Sequence, residues 1–214
     1  ERFFSSRISR AKYNKGTKQL WHVPFAYETN NEILKTITTK NKVPLIGASI
    51  GKLNFEERSF VRTRYDAETI LKLKQEILDG KLSVKDRLGL IRDMFALAEG
   101  GYIDTVTALD FSLAYKHETE YIVWAELASG ISKINALFGD ETYKKYALSL
   151  FSPLAERITW NHIKGEPHSH TFLRSLAISG AGSYGNKNII KHAQKLFKDR
   201  TKNPIRADIS STVY

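Results

Sequence analysis

The chain has 214 residues, 42% of them apolar and 26% charged, with no cysteine and a formal net charge of +10. That length supports one large domain or two modest ones, each able to bury a core, and the balance is that of an ordinary globular protein. The lack of cysteine excludes disulfides, thiolate metal sites and cysteine nucleophiles, and fits a cytoplasmic setting.

No uncharged apolar run approaches the roughly 20 residues that span a bilayer, so no membrane partner is expected. The opening Glu1-Arg2-Phe3-Phe4 has no initiator Met and enters a strand-like stretch at once, as an excised fragment would. Residues 1–66 carry 13 Lys and Arg against 6 Asp and Glu, whereas residues 67–214 carry 20 against 17. The basic excess is spread over the first third with the alternation of a solvated sheet face, so nucleic acid is not the expected partner.

Residues 1–66 read as strands. Trp21, Val23, Phe25 and Tyr27 alternate with His22, Pro24, Ala26 and Glu28, which gives one strongly apolar face. Pro24 cannot donate to a ladder, which places this strand at an edge or at a bulge. Ile33–Thr39 and Arg58–Tyr65 are rich in β-branched and aromatic residues and read as two more strands. Asn14-Lys15-Gly16, Asn30-Asn31, Asn41-Lys42 and Gly51 supply turns between them. The expected package is a small antiparallel β-sandwich of about five to seven strands.

From Asp66 the apolar period changes from two to about 3.6 and stays there. Asp66 caps a helix carrying Ile70, Leu73 and Ile77 that ends at Gly80. The next, over 83–99, is the most legible segment of the chain. Ser83 can accept from the backbone N–H near Asp86, whose charge lies at the positive helix end and can bond back to the cap. Leu88, Ile91, Phe95 and Ala98 form its apolar stripe and Gly100-Gly101 ends it. Beside that stripe stand Asp86, Arg87, Arg92 and Asp93. A third helix starts at Asp104, a fourth near Glu118 runs through Trp124 and Ile131 to Phe138, and Asp140 caps a fifth. Ser152-Pro153 marks a kink or restart in it. Gly165-Glu166-Pro167 reads as a loop, and helices over about 169–180 and 187–199 are divided by Gly180, Gly182 and Gly185. Consecutive short-looped helices pack antiparallel, so residues 67–214 are expected to form an armadillo- or HEAT-like array. The fold class is α+β, with a sandwich domain over 1–66 and a truncated helical domain over 67–214.

Chemistry is sparse. A zinc-protease helix needs two histidines four residues apart, and His22, His117, His162, His168, His170 and His192 contain no such pair. Glu166-Pro167-His168-Ser169-His170 is the nearest approach to a ligand cluster, but it lacks an obvious fourth ligand and a polar loop is the expected reading. Gly180-Ala181-Gly182-Ser183-Tyr184-Gly185 lacks a preceding strand and the Lys-Ser/Thr of a phosphate loop, and reads as a turn between helices.

Trp21, Val23, Pro24, Tyr27 and Thr29 are followed by Phe60, Arg62, Tyr65 and Asp66. Then come Asp86, Arg87, Leu90, Ile91, Asp93, Phe95, Leu97, Ala98 and Gly101, and later Glu118, Thr119, Tyr121 and Trp124. In this order and spacing the set resembles the C-terminal half of the zinc aminopeptidases of the aminopeptidase N and puromycin-sensitive class, with Val61 and Thr63 departing from its pattern. Leu173-Arg174 and the closing Ile205, Val213 and Tyr214 resemble later helices of the same class. The resemblance implies a parent that removes N-terminal residues from peptides with zinc held in a preceding catalytic domain. It implies that this fragment binds no catalytic zinc, is inactive alone, packs on that domain and helps enclose the peptide cavity. Arg174 is the candidate for meeting a peptide carboxylate, by its guanidinium geometry. Asp86, Arg87 and Asp93 are expected to form a structural joint in which Arg87 pairs with a carboxylate such as Asp86, Asp93 or Asp66. The alternative is a non-enzymatic helical scaffold whose basic sandwich binds an acidic partner or nucleic acid.

Overall fold

A computed structural model describes residues 3–5, 22–29, 32–38, 42–44 and 50–214. Trp21, Thr39, the turns at Asn14-Lys15-Gly16 and Asn30-Asn31, and Asn41 lie outside the described residues. The fold class is α+β. Among the described residues five short strands, β1 (Phe3–Ser5), β2 (Val23–Thr29), β3 (Glu32–Thr38), β4 (Lys42–Pro44) and β5 (Ile50–Leu53), precede the helices. These are α1 (Ala67–Leu78), α2 (Val84–Glu99), α3 (Thr105–Ser112), α4 (Tyr121–Asn135), α5 (Glu141–Ile158), α6 (Ser169–Ser183), α7 (Lys187–Asp199) and α8 (Ala207–Val213). Among the described residues no helix is long and apolar enough to cross a membrane.

The chain divides into two compact units, Glu1–Ala108 and Leu109–Tyr214, so α1 and α2 belong with the strands. In the first unit β3-β2-β5 form an antiparallel sheet and β1 pairs with β4. Phe25 and Tyr27 are buried on one face of β2, with rings stacked 6.2 Å apart, and Leu34, Leu53 and Val61 pack on them. β2 is the middle strand of β3-β2-β5, and of the edge or bulge to which Pro24 pointed it shows an irregularity further along. Among the described residues β5 reaches only Tyr27 and Thr29, with a register shift between them, so Pro24 meets a strand on one side only, opposite Ile37. Proline is tolerated there for that reason.

One strand expectation and one turn expectation fail. Residues 58–65 form no strand, because their backbone donors go to side chains: Ser59 N–H to Asn54 Oδ1 at 2.8 Å and Thr63 N–H to Asp93 Oδ2 at 2.8 Å. The strand lies at Ile50–Leu53 instead, across the Gly51 that signalled a turn. Any side chain at Gly51 would touch Glu28 of β2, its Cβ standing 3.4 Å from the Glu28 carboxylate.

The helices start as their caps dictate. Asp66, Ser83 and Asp140 accept from Thr69, Asp86 and Tyr143 N–H respectively. α5 runs through Pro153 as one helix without restarting. α6 likewise continues through Gly180 and Gly182, the turn coming only at Gly185, where φ is +98°. A Cβ on Gly180 would stand 2.3 Å from the Phe151 ring, so glycine here permits close packing of α6 on α5. In the second unit α6 packs against α4, α5, α7 and α8, and Trp124, Leu127, Leu150, Phe151 and Leu173 are buried around it.

Candidate functional site

Among the described residues, each unit holds a buried cluster of charge that contains predicted site residues. In the first unit the Asp86 carboxylate is buried at the start of α2. Its Oδ2 accepts from the Ser83 hydroxyl at 2.8 Å, while Oδ1 accepts from Glu56 N–H at 2.7 Å and lies 3.2 Å from Lys52 Nζ. The Lys52 ammonium is 1% exposed and also donates to the Leu53 and Asn54 carbonyls, each at 3.0 Å, and to Glu57 Oε1 at 2.8 Å. A buried cation is tolerated only when its protons and charge are matched in this way. Arg92 holds the other Glu57 oxygen at 2.6 Å.

These contacts fasten a turn that is strained. Asn54, Glu56 and Glu57 have φ of 51°, 52° and 55°, in the left-handed region that side chains other than glycine disfavour. Gly89 makes room for it: a Cβ there would stand 1.9 Å from Glu57 Oε1. One helical repeat further along α2, Asp93 accepts from both the Thr63 N–H and its hydroxyl at 2.8 Å, and from Arg62 at 3.0 Å. Tyr65 closes the segment, its hydroxyl accepting from Leu53 N–H at 3.0 Å, and burial holds its phenol above the usual range.

Asp86 and Asp93 are therefore brought to one irregular segment, residues 54–63, and each of their oxygens is engaged. Their cations in these contacts are Lys52 and Arg62. Arg87 is half-buried and donates to the Leu82 carbonyl at 2.7 Å. Arg92 stands out beside the apolar stripe and Arg62 in the motif set, but Lys52 and Glu57 are not singled out by their sequence context. The signal that could have found Glu57 is Gly89, a glycine inside a strong helix pattern, which marks close approach of another group.

In the second unit Arg174 lies on α6 and is fully buried. Its Nη2 donates to Glu166 at 2.7 and 2.6 Å and its Nε to the Thr159 carbonyl at 3.2 Å. Nη1 is 3.6 Å from Asp208 Oδ2 and has no hydrogen-bond partner. Arg206 grips Asp208 through two bonds of 3.0 and 2.8 Å and donates to the Trp160 carbonyl at 2.9 Å. The Arg174 hydrogen bond holds the Glu166 carboxyl below the ordinary range, and Arg206 does the same for Asp208. Thr159, whose carbonyl is held here, is a β-branched residue at φ 57°, ψ 172°, a costly conformation.

The Glu166-His168-His170 set does not assemble. Glu166 is taken up by Arg174, with His162 Nε2 3.3 Å away, and His168 meets the Phe172 ring edge-on at 5.3 Å. α6 begins at Ser169, so His170 sits in its first turn and not in an extended loop. Residues two apart on a helix point to different faces. Among the described residues no three His, Asp or Glu side chains converge as a metal site, so zinc has no fitting ligand set there.

Both clusters fix backbone. The comparisons with known proteins accord with the motif resemblance. Residues 51–214 match the ERAP1-like C-terminal domain, and the chain belongs to that family. It is 31% identical over 173 residues to Aminopeptidase M1-A of Oryza sativa subsp. japonica, covering 76% of this chain and 20% of that protein. It is 29% identical over 195 residues to Glutamyl aminopeptidase of Sus scrofa, with 83% and 20% covered. With Aminopeptidase A of Gloydius brevicauda it shares 27% over 199 residues, with 85% and 20% covered. The chain thus spans about one fifth of the length of these relatives.

Proposed function

We propose that the chain is the C-terminal part of a zinc-dependent metalloaminopeptidase that removes N-terminal residues from peptides, and that it performs no chemical step itself. The observation that carries this reading is the family match over 51–214, joined to relatives named as aminopeptidases of which the chain covers about a fifth. The peptide substrate, the zinc and a cytoplasmic location belong to the parent protein in this reading, and no step is routed through a metal in this chain. Its own residues supply a wall that packs on the N-terminal catalytic domain and helps enclose the substrate. A wall needs fixed loops, and the two clusters meet that need by saturating Asp86, Asp93 and Glu166 with internal partners. Arg174 then serves the wall from behind; direct contact with a peptide carboxylate would require its buried Nη1, which faces Asp208, to become accessible. The same reading carries a sandwich built around the β3-β2-β5 sheet and an armadillo-like array from α1 onward.

The test is to assay the parent protein and this chain side by side on aminoacyl anilides. The parent is expected to cleave them, to lose activity on chelation and to regain it with zinc, while the chain alone cleaves none. Turnover by the chain alone with stoichiometric zinc would overturn the proposal.

A further inference from the structure

α7 is a surface helix whose two sides differ sharply. Ile189, Ala193 and Phe197 face the groove that α7 forms with α6 and α8. Lys187, Lys191, Lys195 and Lys198 follow one another at steps of four, four and three, and all are exposed. At 100° per residue they stay within about 80° of the helix circumference and extend over roughly 16 Å. Lys202, four residues beyond Lys198 and also exposed, continues the spacing past the helix end. Residues 187–202 hold six Lys and Arg against one acid, a net charge of +5, half of the chain's formal excess.

None of these five lysines forms an ion pair or side-chain hydrogen bond with a described residue. Two lysines on other helices are matched by acids a turn away: Lys72 lies 3.9 Å from Glu76 and Lys144 2.6 Å from Glu141. α7 contains no glutamate, and its first turn has no acid and begins with Lys187 against the positive helix end. Like charges at this spacing and at this end both disfavour the helix. On this face of α7 no described acid offsets that cost.

We infer that the lysine face of α7 is a docking surface for an acidic helix of a partner protein, one carrying carboxylates at i, i+4, i+8 and i+11. A straight file of point charges about 6 Å apart along a rod is matched by another rod of the same rise. The face carries no arginine fork and no aromatic ring, the groups that read or stack nucleic acid; Phe197 belongs to the opposite side, under Arg200 at 3.9 Å. Nor does it carry apolar residues to enter a membrane, since Ile189 and Phe197 line the groove with α6 and α8.

The experiment titrates the whole 214-residue chain into a fluorescently labelled 20-residue helical peptide with glutamates at those four positions. A control peptide has the same composition with the glutamates dispersed around the helix. The facing peptide is expected to bind, to weaken steeply with salt, and to lose at least about tenfold in affinity with Lys191→Gln/Lys195→Gln/Lys198→Gln. Lys191→Glu/Lys195→Glu should transfer binding to a lysine version of the peptide. All these positions are solvent-exposed, and an unchanged melting temperature verifies that the variants fold. The proposal is overturned if the facing peptide does not bind at low salt, if the dispersed peptide binds equally, or if the triple variant binds undiminished. It is also overturned if duplex RNA or phosphatidylserine vesicles compete more strongly at equal charge.

Discussion

Both units use a buried charge on a helix to hold a length of irregular chain, and they use opposite signs. In the first, α2 supplies acids: Asp86 and Asp93 accept from the N–H groups of Glu56 and Thr63. In the second, α6 supplies a base: Arg174 donates to the Thr159 carbonyl and to Glu166 of the same loop. The sign follows from which backbone group the loop leaves unpaired. A segment outside a ladder must satisfy its N–H and C=O groups elsewhere, and a buried ion does so at the cost of needing its own counter-ion. Lys52 and Glu166 are those counter-ions, and each comes from the segment being held or its immediate neighbour.

If that is the shared design, the largest effects come from removing a counter-ion. Lys52→Met leaves Asp86 and Glu57 buried with one fewer cation, and urea unfolding of the whole chain should show a loss of about 3–5 kcal/mol. A loss under about 1 kcal/mol would mean that the strained turn at 54–57 is held by packing instead. Arg174→Lys keeps the charge in the second unit and removes the fork, with an expected cost of about 2 kcal/mol. Acid separates the charge contribution from the shape of the fork. Glu166 and Asp208 are held below the ordinary carboxylate range, so the stability they lend is complete above their unfolded values near about 4 and is lost as pH falls through the lower folded values. Two of the three tryptophans, Trp124 and Trp160, lie in the second unit and report it by fluorescence. Arg174→Met should raise the pH at which their acid transition begins.

Close approach makes the next largest effect. Gly180→Ala would drive a methyl into the Phe151 ring, and the α5–α6 contact should lose about 1–3 kcal/mol in the same unfolding experiment.

Gly180 also shows where the sequence is legible and where it is not. Helix starts at Asp66, Ser83 and Asp140 could be read directly, because a cap acts on the N–H two or three residues away. Helix ends were harder, since glycine signals a turn by its backbone freedom and a tight contact by its missing side chain. Gly185 is the first kind, with φ of +98°; Gly180 and Gly89 are the second, and only their distant neighbours Phe151 and Glu57 reveal it. Asp86 and Asp93 were recognisable as charges beside an apolar stripe. Their partners lie 30 or more residues back in chain that satisfies its donors with those side chains, and no local spacing encodes such a pairing.

The smallest effect is the most discriminating for the first unit. Arg62 is the cation nearest Asp93 at 3.0 Å, yet its side chain is 48% exposed while that of Asp93 is 2%. Water screens the guanidinium, so the ion pair is worth little, whereas the two bonds from Thr63 reach the carboxylate inside the fold. Arg62→Ala should therefore cost only about 0.5 kcal/mol, and the cost should vanish in high salt. Thr63→Val, which removes the hydroxyl bond and keeps the backbone one, should cost more and be insensitive to salt. Were Arg62→Ala the costlier of the two, Asp93 would be held by charge from outside, and the first unit would depend on an ion pair where the second depends on a buried fork.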